Sequence, residues 1–372
     1  MTKRTVAVLF GGQSGEHEVS LVSAQAVIAG LDAAKYTILP IGITKNGHWI
    51  SGHEAMPRLL AAADKAKLPA ATAAAATQAH WPEERLDAET DEPAALVRHA
   101  NEPTPADLLP PAVDVVFPVL HGPLGEDGSV QGVLELAGIP YVGCGIAASA
   151  VGMDKALMKA AFAAAGLPVL PWLLVRRVDY QGDPETVCNQ IEANLSYPVF
   201  VKPANMGSSV GVSKAKDRAG LIAGLNEAAG YDRRIIIEQG IPAREIEVSV
   251  LGNDAPVASI PGEVVPSNEW YDYAAKYIDG ASHIHIPAPI EPEVAEKVQS
   301  MALLAFQSID GAGLARVDFL LNKETGELWL NEVNTMPGFT PISMYAKMWA
   351  ASGLAYAALL DRLIELALER GR

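Results

Sequence analysis

The sequence predicts a multidomain chain of mixed α/β and α+β architecture, with an open, mostly parallel α/β sheet in its N-terminal part. Three observations carry this. The chain has 372 residues, more than a typical single domain holds, so two or three domains are expected. Residues 1–143 alternate apolar strands with helical stretches, the pattern of a parallel sheet. From Gly240 onward, strand-like segments gather into another sheet accompanied by two amphipathic helices.

The elements follow in order. TVAVLF, residues 5–10, reads as a buried strand, and the loop FGGQSGEHEVS leads into a helix through about Leu31. YTILPIGIT is a strand, and NGHWIS a turn into a short one. Residues 56–112 are rich in Ala and Pro and read as a surface insertion with some helix. Regular structure resumes with the strand and loop VDVVFPVLHG. A helix around Val130–Ala137, stopped by Gly138, and the strand IPYVG complete the domain 1–143. A central domain is expected over 144–239, with the helix MDKALMKAAFAAAGLPV ending at Gly166 and the strands YPVFVKP, VGVSKA and RRIIIEQ. A third domain, 240–372, holds EIEVSVLG, PVASIPGEVV, a hairpin near 316–334 and the helices EVAEKVQSMALLAFQSI and LLDRLIELALER.

Composition narrows the function. Hydrophobic residues are 49% and charged residues 19%, enough for a substantial core. The formal net charge of −16 argues against nucleic acid or an anionic membrane as the main partner, while leaving room for a local cationic pocket. Cys144 and Cys188 fit neither a disulfide framework nor a zinc motif and read as ordinary thiols in a reducing compartment. The N-terminus enters a strand directly, and no apolar run is long enough to span a bilayer, so a cytoplasmic location is expected.

The hairpin within GLARVDFLLNKETGELWLNEVNTMPG is the most informative segment. With Asn322 opposite Leu328, Asp318 falls opposite Glu332 and Arg316 opposite Asn334, all on one face. Val317, Phe319, Leu321, Trp329 and Val333 take the other face, a normal core face. A cation, two carboxylates and an amide so gathered suit a hard metal such as magnesium. A solvated face with cross-strand charge pairs would have the same composition. The following NTMPG ends the strand in a turn whose Gly338 N–H could meet a developing oxyanion.

Other segments add candidates. In ANMGSSVG, Gly207 and Gly211 flank Ser208 and Ser209, suited to close backbone approach to phosphate, although a plain hairpin turn would read alike. It is not a P-loop, lacking GKS or GKT. Lys202 feeds this loop and Lys155 opens the helix after VGM; two lysines here could neutralise polyphosphate. FGGQSGEHEVS lacks dinucleotide spacing, and Glu16 and Glu18 would repel phosphate. A carboxylate there suits an ammonium group, or simply complements the helix dipole. HGPLGEDGS carries His121, and isolated histidines are usually structural. Residues 267–290, with Trp270, Tyr271, Tyr273 and Tyr277 around Lys276, read as a compact lid. His283 and His285 read as a strand-edge pair with no third ligand.

Together and in this order, FGGQSGEHEVS, HGPLGEDGSVQGVLELAGIPYVG, VGMDK, FVKPANMGSSVGVSK, REIEVSVLG, YDYAAKY, ARVDF and NEVNTMPG resemble the ATP-grasp superfamily, and within it the D-alanine–D-alanine ligases. The resemblance covers residues 6 to 343 apart from the insertion. The resemblance implies an ATP-grasp fold behind the N-terminal domain, ATP as co-substrate, two magnesium (or manganese) ions and a homodimer. It implies joining of two D-alanines through a D-alanyl phosphate, a step toward peptidoglycan. It assigns Glu16 to the first D-alanine's ammonium and His121 to the neighbourhood of its carboxylate. Lys155, Lys202 and Lys276 face phosphates, and Ser208 and Ser209 lie in the phosphate loop. Glu238 lies at the adenine and Glu245 at the ribose. Asp318, Glu332 and Asn334 hold metal, Arg316 and Gly338 form the oxyanion site, and Ser343 meets the second substrate's carboxylate. Tyr277 is expected to tie the lid to Ser208 and Glu16. A D-alanine–D-lactate ligase, another ATP-grasp carboxylate–amine ligase and a silent nucleotide-binding regulator are the competing readings. Tyr277 favours the dipeptide ligase over its depsipeptide relatives.

Overall fold

A computed structural model describes residues 3–64, 113–265 and 283–371. Lys276 and Tyr277, the rest of the expected lid up to residue 282, and positions 65–112 lie outside the described residues. Among the described residues the chain builds three sheets.

The first sheet is made by β1 (Arg4–Gly11), β2 (Tyr36–Ile43), β3 (Trp49–Ser51) and β4 (Val115–Val119), in the order β3-β2-β1-β4. β1 runs parallel to β2 and β4, and only the edge strand β3 is antiparallel. Strand periodicity divides β1 between two cores. Val6, Val8 and Phe10 pack with Leu21, Ala24 and Val27 of α1 (His17–Gly30), while Ala7 and Leu9 pack with Val130 and Leu134 of α3 (Ser129–Leu136). Two expectations need correction here. α2 (Ala55–Ala62) buries Met56, Leu59 and Leu60 in the first core, so residue 56 begins no surface insertion. IPYVG is no strand, since Tyr141 makes a single bridge to Val116.

The second sheet is antiparallel, in the order β5 (Trp172–Arg176), β8 (Arg234–Gln239), β6 (Val199–Pro203), β7 (Ser213–Ala215). Behind it lie α6 (Arg177–Gly182), α7 (Pro184–Asn194) and α8 (Arg218–Tyr231), contributing Tyr180, Ile191 and Leu225 to its core. The third sheet joins β12 (His283–His285), β11 (Gly262–Val265), β9 (Ala243–Gly252), β13 (Gly313–Asn322) and β14 (Leu328–Asn334), with β10 (Val257–Ala258) on β9. α9 (Pro292–Ser308) covers it through Val298, Ala302 and Phe306. His283 and His285 are exposed on edge strand β12, so the end of the expected lid belongs to the sheet.

The cores cross the expected domain boundaries. α4 (Ile146–Met153) and α5 (Lys155–Ala164) supply Ala148, Met158 and Phe162 to the core of the third sheet, not the second. α10 (Met344–Ala351) and the C-terminal α11 (Tyr356–Arg370) return to the first: Leu359, Leu360, Leu363 and Ile364 lie in one core with Val6, Phe10 and Phe117. Amphipathicity shows that such helices bury a face, but not against which sheet.

A bulge sets the hairpin register. Arg316 pairs with Asn334 and Asp318 with Glu332, but Phe319 pairs with Leu330 and Leu321 with Leu328, leaving Asn331 as the extra residue. The expected pairing of Asn322 with Leu328 is therefore wrong at the loop end, though it holds at the strand end that faces the cavity. Beyond the bulge the faces exchange, so Leu328 and Leu330 enter the core in place of the expected Trp329.

Candidate active site

A cavity of about 640 Å³ opens between the three sheets. The described residues to which the resemblance assigns a role all line it: Glu16, His121, Lys155, Lys202, Ser208, Ser209, Glu238, Glu245, Arg316, Asp318, Glu332, Asn334, Gly338 and Ser343. Its floor is the polar face of the third sheet. Across β9, β13 and β14, Glu247, Asp318 and Glu332 form one row, and Ser249, Arg316 and Asn334 the next.

Arg316 holds these charges together. Its Nε and Nη2 donate to the two oxygens of Asp318, each at 2.7 Å, and Glu247 lies 3.2 Å from Nε. Burial opposes the guanidinium's charge, but Asp318, Glu247 and Glu332 more than offset it and raise its pKa well above the ordinary value. Asn334 donates through Nδ2 to Asp318 at 2.9 Å, which leaves its amide oxygen for another partner. Asp318, Glu332 and Asn334 thus present hard oxygen donors from paired positions beside the cavity. A magnesium ion takes such a set, with waters and phosphate oxygens as its remaining ligands.

The first and second sheets meet over this floor. Glu16 sits at the start of α1 but makes no side-chain cap hydrogen bond; its carboxylate accepts from the Ser208 hydroxyl, 192 residues away in sequence. Gly122 and Gly207 approach the same carboxylate so closely that a Cβ on either would lie 2.6 Å from Oε2. Ser208 and Ser209 both adopt positive φ, 47° and 58°, an unusual conformation for serine that keeps their loop tight. Lys155 donates to the Met206 carbonyl at 2.6 Å and thereby fixes this loop. Glu18, the other candidate for ammonium binding or dipole complementation, is buried against Lys45 and the Asp64 N–H.

Two assigned side chains are held by protein partners. The Glu238 carboxylate bridges Lys159, at 3.0 Å, and Lys202, one at each oxygen. Burial alone would raise its pKa, but the two lysines outweigh that and hold it at about 2. The ring nitrogens of His121 are both engaged, by the Met336 carbonyl and the Ser23 hydroxyl, each at 3.1 Å. Ser343 lies beside Gly338, its hydroxyl accepting from the Thr340 N–H at 3.1 Å.

Sequence reading does not single out Glu247, Lys159 or Glu126, although each leaves a signal. Glu247 alternates with Ile246 and Val248 on the face of Glu245. Lys159 stands one helical turn after Lys155. Glu126 lies in the glycine-rich loop that also carries His121. Lys159→Met should destabilise the protein. Breaking a buried pair costs about 3–5 kcal/mol, and the remaining Lys202 contact places this change toward the lower end. An unchanged urea midpoint would show that the Lys159–Glu238 pair does not matter.

Glu126 accepts the Gly122 N–H at 2.6 Å and the Met336 N–H at 3.2 Å. Burial and the nearby Glu16 charge push its carboxyl up to about 8, while the two amides and Arg316 pull the other way. A raised carboxyl favours the folded state fully below its ordinary value near 4.5. That advantage is lost as pH rises through about 8. Glu126→Gln should therefore flatten the fall of Tm between pH 5 and pH 9. Parallel Tm profiles for the two proteins would contradict this.

Known proteins resemble the chain along its whole length. A family model described as the D-ala D-ala ligase N-terminus matches residues 5–144, and one for the D-ala D-ala ligase C-terminus matches residues 161–365. The D-alanine–D-alanine ligase of Heliobacterium modesticaldum is 50% identical, over 100% of this chain and 96% of its own length. That of Ruminiclostridium cellulolyticum is likewise 50% identical, over 100% and 96%. Among solved structures, the D-alanine–D-alanine ligase of Coxiella burnetii aligns with a TM-score of 0.78 and 35% identity, covering 100% of this chain and 95% of the other. The VanG D-Ala:D-Ser ligase of Enterococcus faecalis aligns with a TM-score of 0.79 and 34% identity, covering 98% and 100%. Two family models that together account for most of the chain, and relatives matched from end to end, lead to one conclusion: the chain belongs to the D-alanine–D-alanine ligase family.

Proposed function

We propose that this chain joins two D-alanines into D-alanyl-D-alanine, converting ATP to ADP and phosphate. The observation that carries the reading is the meeting, in one cavity, of the Arg316–Asp318–Glu332–Asn334 face with the Ser208–Glu16 contact. It brings a loop suited to polyphosphate, a carboxylate suited to an ammonium group and a face suited to a cation to one place.

A carboxylate is a poor acylating agent, so an oxygen of the first D-alanine attacks the γ-phosphorus of ATP, ADP leaves and an acyl phosphate forms. Glu16 holds that substrate's ammonium. Lys155 and Lys202 offset phosphate charge, with Lys276 in the same role from outside the described residues. Asp318, Glu332 and Asn334 would hold magnesium, which supplies charge neutralisation at the transferring phosphoryl group. The second D-alanine, as the free amine, attacks the acyl carbon. Arg316 and the Gly338 N–H stabilise the tetrahedral oxyanion, which collapses with loss of inorganic phosphate, and the amide nitrogen loses its extra proton. Glu245 is assigned to the ribose, Ser343 to the second carboxylate, and Tyr277 to the lid that keeps water from the acyl phosphate.

A nucleotide-binding regulator would be expected to have lost part of this set, whereas the metal-site residues, Arg316 and the phosphate loop are all in place. The cytoplasmic location rests on the sequence reading and the homodimer on the resemblance alone, and light scattering tests the latter. The decisive experiment supplies purified protein with ATP, magnesium and D-alanine, paired with D-alanine, D-serine or D-lactate as second substrate. It follows ADP release and identifies products by mass spectrometry. D-alanyl-D-alanine as the main product is expected. Its absence, with nucleotide shown to bind, would overturn the reading.

A further inference from the structure

The segment that carries Gly338 is held from outside its own sheet. Met336 donates its N–H to Glu126 at 3.2 Å, and its carbonyl accepts from His121 Nδ1 at 3.1 Å. A carbonyl can only accept, so Nδ1 carries the proton and Nε2 is left as the acceptor for the Ser23 hydroxyl, at 3.1 Å. The Ser23 oxygen in turn accepts the Phe339 N–H at 3.4 Å. The Phe339 ring is buried edge-on against Phe117 in the core of the first sheet, with centroids 5.5 Å apart. Pro337 has no N–H to give. Gly338 is thus left with the one backbone donor of 336–339 that has no partner among the described residues.

We propose that Ser23, His121 and Glu126 form a clasp that positions the Gly338 N–H for the oxyanion of the amide-forming step, without touching the reacting atoms. The inference rests on the oxyanion reading of Arg316 and Gly338. It gives His121 a positioning role in place of substrate contact. Oxyanion donors act only if fixed beforehand, and a loop at the end of a strand is not fixed by its own sheet. The three positioning residues all lie on elements that serve the first substrate, so that part of the protein aims a donor borne by the third sheet.

Phosphoryl transfer draws charge away from the substrate carboxylate, whereas amine attack builds it on the carbonyl oxygen. A misplaced Gly338 N–H should therefore slow the second step selectively, leaving acyl phosphate to be lost to water. Ser23→Ala and Glu126→Gln are assayed for ADP and dipeptide in the same reaction. Each is expected to lower dipeptide formation by about 10-fold, below the 10²–10³-fold of complete donor loss. The dipeptide:ADP ratio should fall clearly below one, with KM for ATP little changed. Glu126→Gln decides the matter if Ser23→Ala does not fold. A ratio that stays at one in the folded variants, whether or not the rate falls, overturns the clasp. Arg316→Lys separates the two ideas. If it uncouples the steps and the clasp variants do not, only the clasp has failed; if it too keeps the ratio at one, the oxyanion reading has failed.

Discussion

Glu332→Gln should cut kcat by on the order of 10²–10³-fold, and Asp318→Asn by at least as much. The two carboxylates stand opposite each other on β13 and β14, on the face away from the core, and both line the cavity. Their charge also reaches the flanking cations: Glu332 acts on Lys202 and Arg316, and Asp318 binds Arg316 through both oxygens. The substitutions differ in one respect. Asp318→Asn removes the paired contact to a largely buried guanidinium, which retains Glu247 as an ion-pair partner, so it should lower stability as well. Glu332→Gln is therefore the cleaner test of the metal assignment. Near-normal turnover at saturating magnesium in a folded Glu332→Gln protein would remove Glu332 from the metal site.

The face carrying these groups is legible in the sequence because strand alternation is a local rule. ARVDF and LNEVN place charge and amide at every second position, and β9 repeats the rule with Glu245 and Glu247. The bulge at Asn331 shows where that rule stops. A register counted from the loop fails near the loop, yet gives the right partners for Arg316 and Asp318, because the extra residue restores the count. What sequence alone cannot supply is contact between elements far apart in the chain. Glu238 reads as a strand residue, and its ion pair with Lys159 depends on how α5 packs. His121 reads as an isolated histidine, and its partners come from α1 and from the turn after β14. α11 reads as amphipathic, with no sign that its partner is β1, some 350 residues earlier.

Glu16→Gln should lower kcat/KM for D-alanine at saturating ATP by roughly 30- to 5,000-fold. That corresponds to the about 2–5 kcal/mol lost when one partner of a buried, hydrogen-bonded charge pair is neutralised. The carboxylate is buried at the cavity wall, and its helix makes no use of it as a cap. Gly122 and Gly207 crowd it, and Ser208 donates to it, so its orientation is fixed from two sides before any substrate arrives. That arrangement suits an acceptor for an ammonium group and also couples the first-substrate site to the phosphate loop. Ser208→Ala removes one hydrogen bond to a charged group, about 1.5–3 kcal/mol, and should cost roughly 10- to 150-fold. Because the two side chains bond directly, the double variant should lose less than the product of the single losses. The cycle is measured on kcat/KM for D-alanine, with ATP binding followed separately. Multiplicative losses would mean that the Ser208–Glu16 contact does not operate in the reacting enzyme. A Glu16→Gln protein within about threefold of wild type would mean that the ammonium is held elsewhere. The intended result is a large Glu16 effect and a smaller, non-additive Ser208 effect, because the serine acts on the substrate only through the carboxylate it orients.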